Sequence, residues 1–357
     1  MRKVLLSWSK NRKFSPLIYK PRTMKKILVL ALLSFGAFAQ QPLVSHIYTA
    51  DPSAHLFQGK IYIYPSHDID AGVKEDDMGS HFAMNDYHVF SQTTPAAPVT
   101  DHGVALKLAD VPWAGKMFWA PDAAEANGQY YLYFPAKDKE GVFRIGVASS
   151  AKPEGPFKAE ANYIPGTYSI DPCVFKDQDG SYYMYFGGIW GGQLQRWKMG
   201  HYMANDDSQP ANEQPALMAK VAKLDKNMKV LAEKPRDVQI LDASGKILLS
   251  SDHDRRFFEA AFVHQYQGKY YFSYSTGDTH NIAYATGTSP YGPFTYQGVI
   301  LKPVKGWTNH HSIIEQNGKW YLYFHDVQLS GKTHLRNIKV TELKYRPDGS
   351  IETITAY

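Results

Sequence analysis

One unit recurs five times along this chain of 357 residues: a strand-like run, a turn glycine, then an aromatic run. Aligned on the glycine, the copies read Gly59-Lys-Ile-Tyr62, Gly128-Gln-Tyr-Tyr131, Gly180-Ser-Tyr-Tyr183, Gly268-Lys-Tyr-Tyr271 and Gly318-Lys-Trp-Tyr321. A strand, a glycine turn and a second strand are a hairpin signal. Hairpins repeated at intervals of several tens of residues are the sequence mark of a repeat or propeller architecture. The chain therefore reads as all-β, a five-bladed β-propeller forming a single domain over residues 40–357.

Eight or nine residues before each glycine, where each copy's first strand begins, stand Asp51, Ala120, Asp171, Glu259 and His310. The first strand of each propeller blade lines the central channel, so equivalent positions form a ring around the axis. Three carboxylates and a histidine then meet at one channel mouth. Like charges brought together repel and raise each other's pKa, so stability does not ask for this arrangement. One Asp-Pro at a strand start is an ordinary turn residue; three acids in phase with a repeat read as catalytic.

The segment Met24–Ala39 has a short basic start, an apolar run and an Ala-x-Ala end. That pattern is a secretory signal peptide, too short in its apolar part for a permanent membrane span. Cleavage is expected after Ala39 and the destination is periplasmic or secreted, with translation starting at Met1 or Met24. Residues 1–39 carry nine of the 39 Lys and Arg and no acid, so the remainder has 30 basic against 34 acidic residues. The positive balance of the full chain thus belongs to the leader, and no nucleic-acid partner is expected. With one cysteine, Cys173, there is no internal disulfide.

Beyond the hairpins, Asn85–Ser91 and Arg144–Ser150 read as further strands, and Pro153-Glu-Gly-Pro-Phe157 is echoed by Ser289-Pro-Tyr-Gly-Pro-Phe294. The repeat therefore extends to blades of about four strands. The stretch 189–256 reads as outer strands of the third blade plus a rim loop.

Six motifs, Ala50-Asp-Pro52, Ser66-His-Asp68, Trp119-Ala-Pro-Asp122, Ile170-Asp-Pro172, Phe258-Glu-Ala260 and Asn309-His-His-Ser312, stand in this order and in phase with the repeats. On them the chain resembles glycoside hydrolase family 43, five-bladed propeller enzymes that include arabinofuranosidases, xylosidases and arabinanases. The resemblance implies Asp51 as general base, Glu259 as general acid, and Asp171 as the residue that orients Glu259 and keeps its pKa high. A glutamate beside another carboxylate in a partly desolvated pocket does hold its proton to higher pH. Asp51, preceding Pro52, is expected in extended backbone.

The resemblance further implies a cation, commonly calcium, under His310 in the central channel, although calcium prefers oxygen ligands; the chemistry itself requires no cofactor. His311 should point the other way along its strand. Trp119 is the natural stacking platform for a sugar, beside Ala120 and Ile170, and Arg336 stands where relatives reach the sugar's hydroxyls. Asp68, Asp86 and Asp122 fall off the ring and are expected to hold loops and neighbouring side chains.

The implied function is an exported, inverting glycosidase that releases terminal α-L-arabinofuranosyl or β-D-xylosyl residues from plant polysaccharide or oligosaccharide, acting as a monomer with no membrane span. An endo-α-1,5-L-arabinanase is the alternative if the channel mouth is an open groove; the loops at 69–81 and 189–256 are placed to wall it into a pocket. Fructan-cleaving propellers open on a different motif from Tyr48-Thr-Ala-Asp51. A non-catalytic carbohydrate-binding propeller would have lost a ring acid, and none is lost here.

Overall fold

The structure, a computed structural model, describes residues 41–356. The expected signal peptide and its cleavage point after Ala39 lie outside the described residues. Four of the five turn glycines follow an Asn or Gln that shares their left-handed backbone: Gln58-Gly59 (φ 50° and 75°), Asn127-Gly128 (55° and 69°), Gln267-Gly268 (48° and 75°) and Asn317-Gly318 (56° and 78°). Two consecutive positive φ values make the tight hairpin turn whose twist matches that of paired strands. The third copy closes a longer loop, with Gly180 N–H donating to Asp177 O at 3.0 Å.

Each hairpin supplies the two inner strands of a blade. The innermost strands are Tyr48–Phe57, Asp122–Ala126, Cys173–Lys176, Glu259–Tyr266 and His311–Gln316. Their partners are Lys60–Asp68, Gln129–Asp138, Tyr182–Phe186, Lys269–Ser275 and Lys319–Asp326. All five pairs are antiparallel. Third strands follow at Asp86–Gln92, Phe143–Ser150, Lys220–Lys223, Ile282–Gly287 and Asn337–Leu343. Blades one to four add a fourth strand, Thr100–Lys107, Lys158–Ala159, Arg236–Asp237 and Phe294–Leu301. Each innermost strand touches the next around the ring, and the first touches the fifth. Leu43 N–H donates to Ile338 O at 2.9 Å, tying the start of blade one to blade five.

The apolar core is divided among the blade interfaces, as stacked twisted sheets require. One cluster joins blades one and two around Tyr87, Phe118 and Phe134. Others join two to three, three through five, and five back to one. A polar ring runs through this stack at the fifth residue after each turn glycine. Tyr64 donates to Pro153 O at 2.7 Å, Tyr133 to Met228 O at 2.9 Å, and Tyr185 to Pro290 O at 2.5 Å. Ser273 Oγ pairs with His311 Nε2 at 2.6 Å, and Tyr323 accepts from Gln92 Nε2 at 2.7 Å. Every blade is thereby bonded to its successor at the same repeat position. These side chains are all buried, where a hydroxyl needs a partner.

The stretch 189–256 departs from its reading in one respect. Lys220–Lys223 and Arg236–Asp237 are indeed outer strands of blade three, but Ile240–Leu241 pairs parallel with Phe294–Leu301 and so extends blade four. The chain crosses to the next blade before reaching its inner strand, a connection that hydrophobic pattern alone does not reveal. Among the described residues, no helix is long and apolar enough to cross a membrane.

Candidate active site

Asp51, Ala120, Asp171, Glu259 and His310 all line one cavity of about 410 Å³, together with Trp119, Ile170 and Arg336. Each ring residue lies at or within three positions of the start of an innermost strand, which is why phasing on the turn glycines collects them. The backbone there is not extended. Asp51, Asp171 and Ala260 have φ of 49°, 55° and 60°, in the left-handed region that side chains rarely occupy. Pairing slips between Ala50 and Ser53 in blade one and between Glu259 and Phe262 in blade four. These are β-bulges, which re-aim a side chain and recur beside active sites. The expected extended backbone at Asp51 is therefore corrected: the bulge overrides the preference set by Pro52. It is held by the Asp51 N–H donating to His325 Nδ1 at 3.0 Å.

Asp51 is 6% exposed and fully engaged. Its Oδ1 accepts from Arg336 Nη1 at 2.9 Å and its Oδ2 from Ser66 Oγ at 2.7 Å. Arg336 is itself gripped by Asp68, through Nε at 2.8 Å, Nη2 at 2.7 Å and its backbone N–H at 2.8 Å. Nη1 also reaches Thr308 Oγ1 at 3.1 Å, and the guanidinium lies 4.7 Å over the Phe82 ring. Asp68 is thus the buried anchor of the arginine, as a loop-holding role anticipated in kind. Burial pushes the Asp51 carboxyl upward, but Arg336, His310 and His325 together outweigh it and hold it well below the usual carboxylate range. Asp51 is ionised throughout the working range of pH.

Glu259 is the opposite case. Burial is the largest influence, the Asp171 and Asp51 charges add to it, and its pKa stands well above the ordinary value with Arg336 opposing. Asp171 Oδ2 accepts from the N–H of Ala260, the residue after Glu259, at 2.8 Å, which fixes the bulge that aims the glutamate. Burial, with the Asp51 charge, raises Asp171 to about 6. His310 Nδ1 is 3.5 Å from Asp51 Oδ1. Burial lowers its pKa, but Asp171 and Asp51 more than reverse this and hold it above the ordinary imidazole value. A carboxyl held below its ordinary range and another held above it in a shared cavity can serve as base and acid for a single reaction.

Two loops wall the cavity. A Cβ on Gly191 would sit 2.8 Å from Met78 O and 2.9 Å from the Trp119 ring, and one on Gly79 would also sit 2.9 Å from that ring. The loop after Asp68 and the loop after Phe186 therefore meet over Trp119, and only glycine allows the contact. Trp119 donates its indole N–H to Phe82 O at 2.8 Å and is 9% exposed. It braces the wall as well as lining the cavity. Ile170 packs under Gly188 and Gly192, where added Cβ atoms would come within 2.6 and 2.7 Å of it.

His311 points away from the cavity, toward Ser273, as strand alternation requires. Asp122 receives Ser53 Oγ and the Val174 N–H on its two oxygens, joining blades one, two and three. The sequence reading did not single out Thr308, Trp190, Trp307 or His325, all placed at or under the cavity. For His325 a signal existed. It stands seven residues after Gly318, as Ser66 stands seven after Gly59, and both bond to Asp51. Trp190 and Trp307 lie in loops outside the repeat phase.

The family model for glycosyl hydrolases family 43 matches residues 99–351. A xylosidase/arabinosidase 43A of Humicola insolens is 57% identical over 87% of this chain and 98% of its own length. A solved structure of CoXyl43, a GH43 beta-xylosidase/alpha-arabinofuranosidase from a compost microbial metagenome in complex with xylotriose, calcium-free form, is 63% identical, with TM-score 0.88, covering 89% of this chain and 98% of that one. A GH43_1 enzyme from Xanthomonas citri complexed with xylose is 57% identical, with TM-score 0.85, covering 89% and 93%. Five blades, three acids converging from blades one, three and four, and likeness over nearly the whole described chain agree: this chain belongs to glycosyl hydrolase family 43.

Proposed function

We propose that this chain hydrolyses β-D-xylosides and α-L-arabinofuranosides from the ends of plant-derived oligosaccharides, with inversion at the anomeric carbon. The observation that carries the reading is that Asp51 and Glu259 line one cavity in opposite surroundings. Asp51 is bonded to Arg336 and Ser66, which with the nearby histidines favour its charged form, and Glu259 is buried beside Asp171, which favours its neutral one. Glu259 protonates the departing glycosidic oxygen. Asp51 takes a proton from the water that attacks the opposite face of the sugar. Inversion needs the two carboxyl groups roughly 6.5–9.5 Å apart, so that this water fits between them. Asp171 holds Glu259 in position through the Ala260 N–H, and burial, with the Asp171 charge added to it, holds the acid's pKa above its ordinary value. Arg336 bonds Asp51 and lines the cavity, which supports its meeting a sugar hydroxyl.

The meeting of the loops over Trp119 supports end-on attack rather than mid-chain cleavage. The named activities of the Humicola and compost relatives support xylose and arabinose as the sugars released. Export to the periplasm or medium rests on the Met24–Ala39 pattern, and a monomer is the assembly expected. A calcium ion near His310 would rest on one imidazole nitrogen and solvent. Both Asp51 oxygens and Oδ2 of Asp171 are engaged by Arg336, Ser66 and Ala260, and no group of three ligand side chains gathers there among the described residues. The donor set does not fit a calcium cage, and neither proton transfer involves one.

Proton NMR of 4-nitrophenyl β-D-xyloside during its first turnovers tests the reading. α-Xylose as the first-formed sugar is expected; β-xylose formed first would overturn inversion, and no cleavage of this substrate or the arabinofuranoside would overturn the activity.

A further inference from the structure

Blade one carries a second cluster of chemistry-bearing side chains, outside the cavity and unused by the reaction above. His67 lies on the strand Lys60–Asp68, and Asp86 and His88 lie on its neighbour Asp86–Gln92. The pairing of Ile61 with Gln92 and Ile63 with Phe90, continued along the strands, sets His67 opposite Asp86. His88, two residues on, shares the face of Asp86. Each of the three offers one ligand atom, and these atoms lie within 4.8 Å of one another. His67 Nδ1 is 2.5 Å from Asp86 Oδ1, and the two imidazole rings stand 4.8 Å apart at 67°.

We propose that His67, Asp86 and His88 form a binding site for a divalent transition-metal ion of the zinc class. Two imidazoles and one carboxylate are the donors such ions take, with bond lengths of about 2.0–2.2 Å that place ligand atoms ~3.4 Å apart in a tetrahedron. The observed spacing brackets that value, so small side-chain rotations complete the site. Coordination replaces the His67–Asp86 hydrogen bond, with the ring proton held on the other nitrogen. Calcium and magnesium are disfavoured because they require oxygen-rich shells.

An outer layer is already in place. His88 Nδ1 is 3.1 Å from Asp101 Oδ1, which also accepts the Gly103 N–H at 2.7 Å, while His46 Nε2 binds Asp101 Oδ2 at 2.7 Å. A carboxylate on the far nitrogen of a liganding histidine fixes its tautomer and ring orientation, so His88 coordinates through Nε2. The side chains of His67, Asp86 and His88 are 17%, 19% and 13% exposed. The ion therefore has a route in, and a water completes its shell. Bound there, it staples the second and third strands of blade one. His67 precedes Asp68, which turns to the opposite face and grips Arg336, so the staple lies one residue from the anchor of the catalytic arginine.

The test uses purified, untagged protein stripped with chelator, titrated with zinc chloride by calorimetry and assayed for bound metal after gel filtration. One zinc per chain and a raised melting temperature are expected for the parent protein. His88→Gln and Asp86→Asn should each bind at least tenfold more weakly, and Asp101→Asn about 10–100-fold more weakly through the outer layer. Circular dichroism and unchanged xyloside hydrolysis verify that the variants fold. No zinc retained by the parent protein, or equal retention by His88→Gln and Asp86→Asn, would overturn the proposal.

Discussion

Replacing Arg336 by lysine separates charge from geometry at the point on which the base depends. Arginine here makes two side-chain bonds to Asp68, at 2.8 and 2.7 Å, and one each to Asp51 and Thr308, at 2.9 and 3.1 Å. Lysine keeps the charge but offers three donors from a single point and cannot fork between two carboxylates. At least one charge-assisted bond is lost, at ~1.5–3 kcal/mol apiece, and a buried carboxylate deprived of its partner entirely costs ~3–5 kcal/mol. A loss of about 3 kcal/mol is expected, within a total of ~5–15 for a typical domain, so the variant should fold but denature at clearly lower urea concentration. The effect on pH follows from the sign. Asp51 has a depressed folded pKa, so its stabilising contribution is present above the unfolded value and disappears as pH falls toward the folded one. With Arg336 weakened, burial regains ground and the Asp51 pKa rises. The variant should then lose less stability on acidification than the parent, while its kcat/KM falls off at higher pH on the acid side. A variant with unchanged denaturation midpoint and an unchanged acid limb would refute the reasoning.

Asp171→Asn removes a negative neighbour that raises Glu259, so the alkaline limb of kcat/KM should move to lower pH and kcat should drop as the Ala260 tether weakens; an alkaline limb that stays put would show that Asp171 does not tune the acid. Gly191→Ala drives a methyl group into Met78 O and Trp119, so KM for xylobiose should rise several-fold with little change in melting temperature, and an unchanged KM would show that this wall does not shape the substrate site.

Much of this was legible in the chain because a propeller writes its geometry as a period. The turn glycines mark each hairpin, and a step of eight or nine residues back from them collects the ring acids. The same period extends further than the ring: five residues past each glycine lie the inter-blade hydrogen bonds, and seven past it lie Ser66 and His325, two of the neighbours that fix Asp51. What eluded the sequence is what breaks the period. The Asp-Pro pair at 51–52 favours extended backbone, and only the tertiary contact with His325 and the slip in pairing turn Asp51 left-handed. Trp190 and Trp307 lie in loops, where no repeat predicts direction. Arg336 was legible as a residue of the cavity but not as the clamp between Asp51 and Asp68, because that role joins blades far apart in the chain.

The most direct measurement of the central claim compares Glu259→Gln on two xylosides that differ only in their leaving group. The amide cannot donate a proton as an acid, so xylobiose hydrolysis should fall by ~10²–10⁴-fold. A dinitrophenyl xyloside, whose leaving group departs without protonation, should retain most of its bond-cleavage rate. Equal loss on both substrates, or near-parental turnover of xylobiose, would contradict Glu259 as the proton donor facing an ionised Asp51.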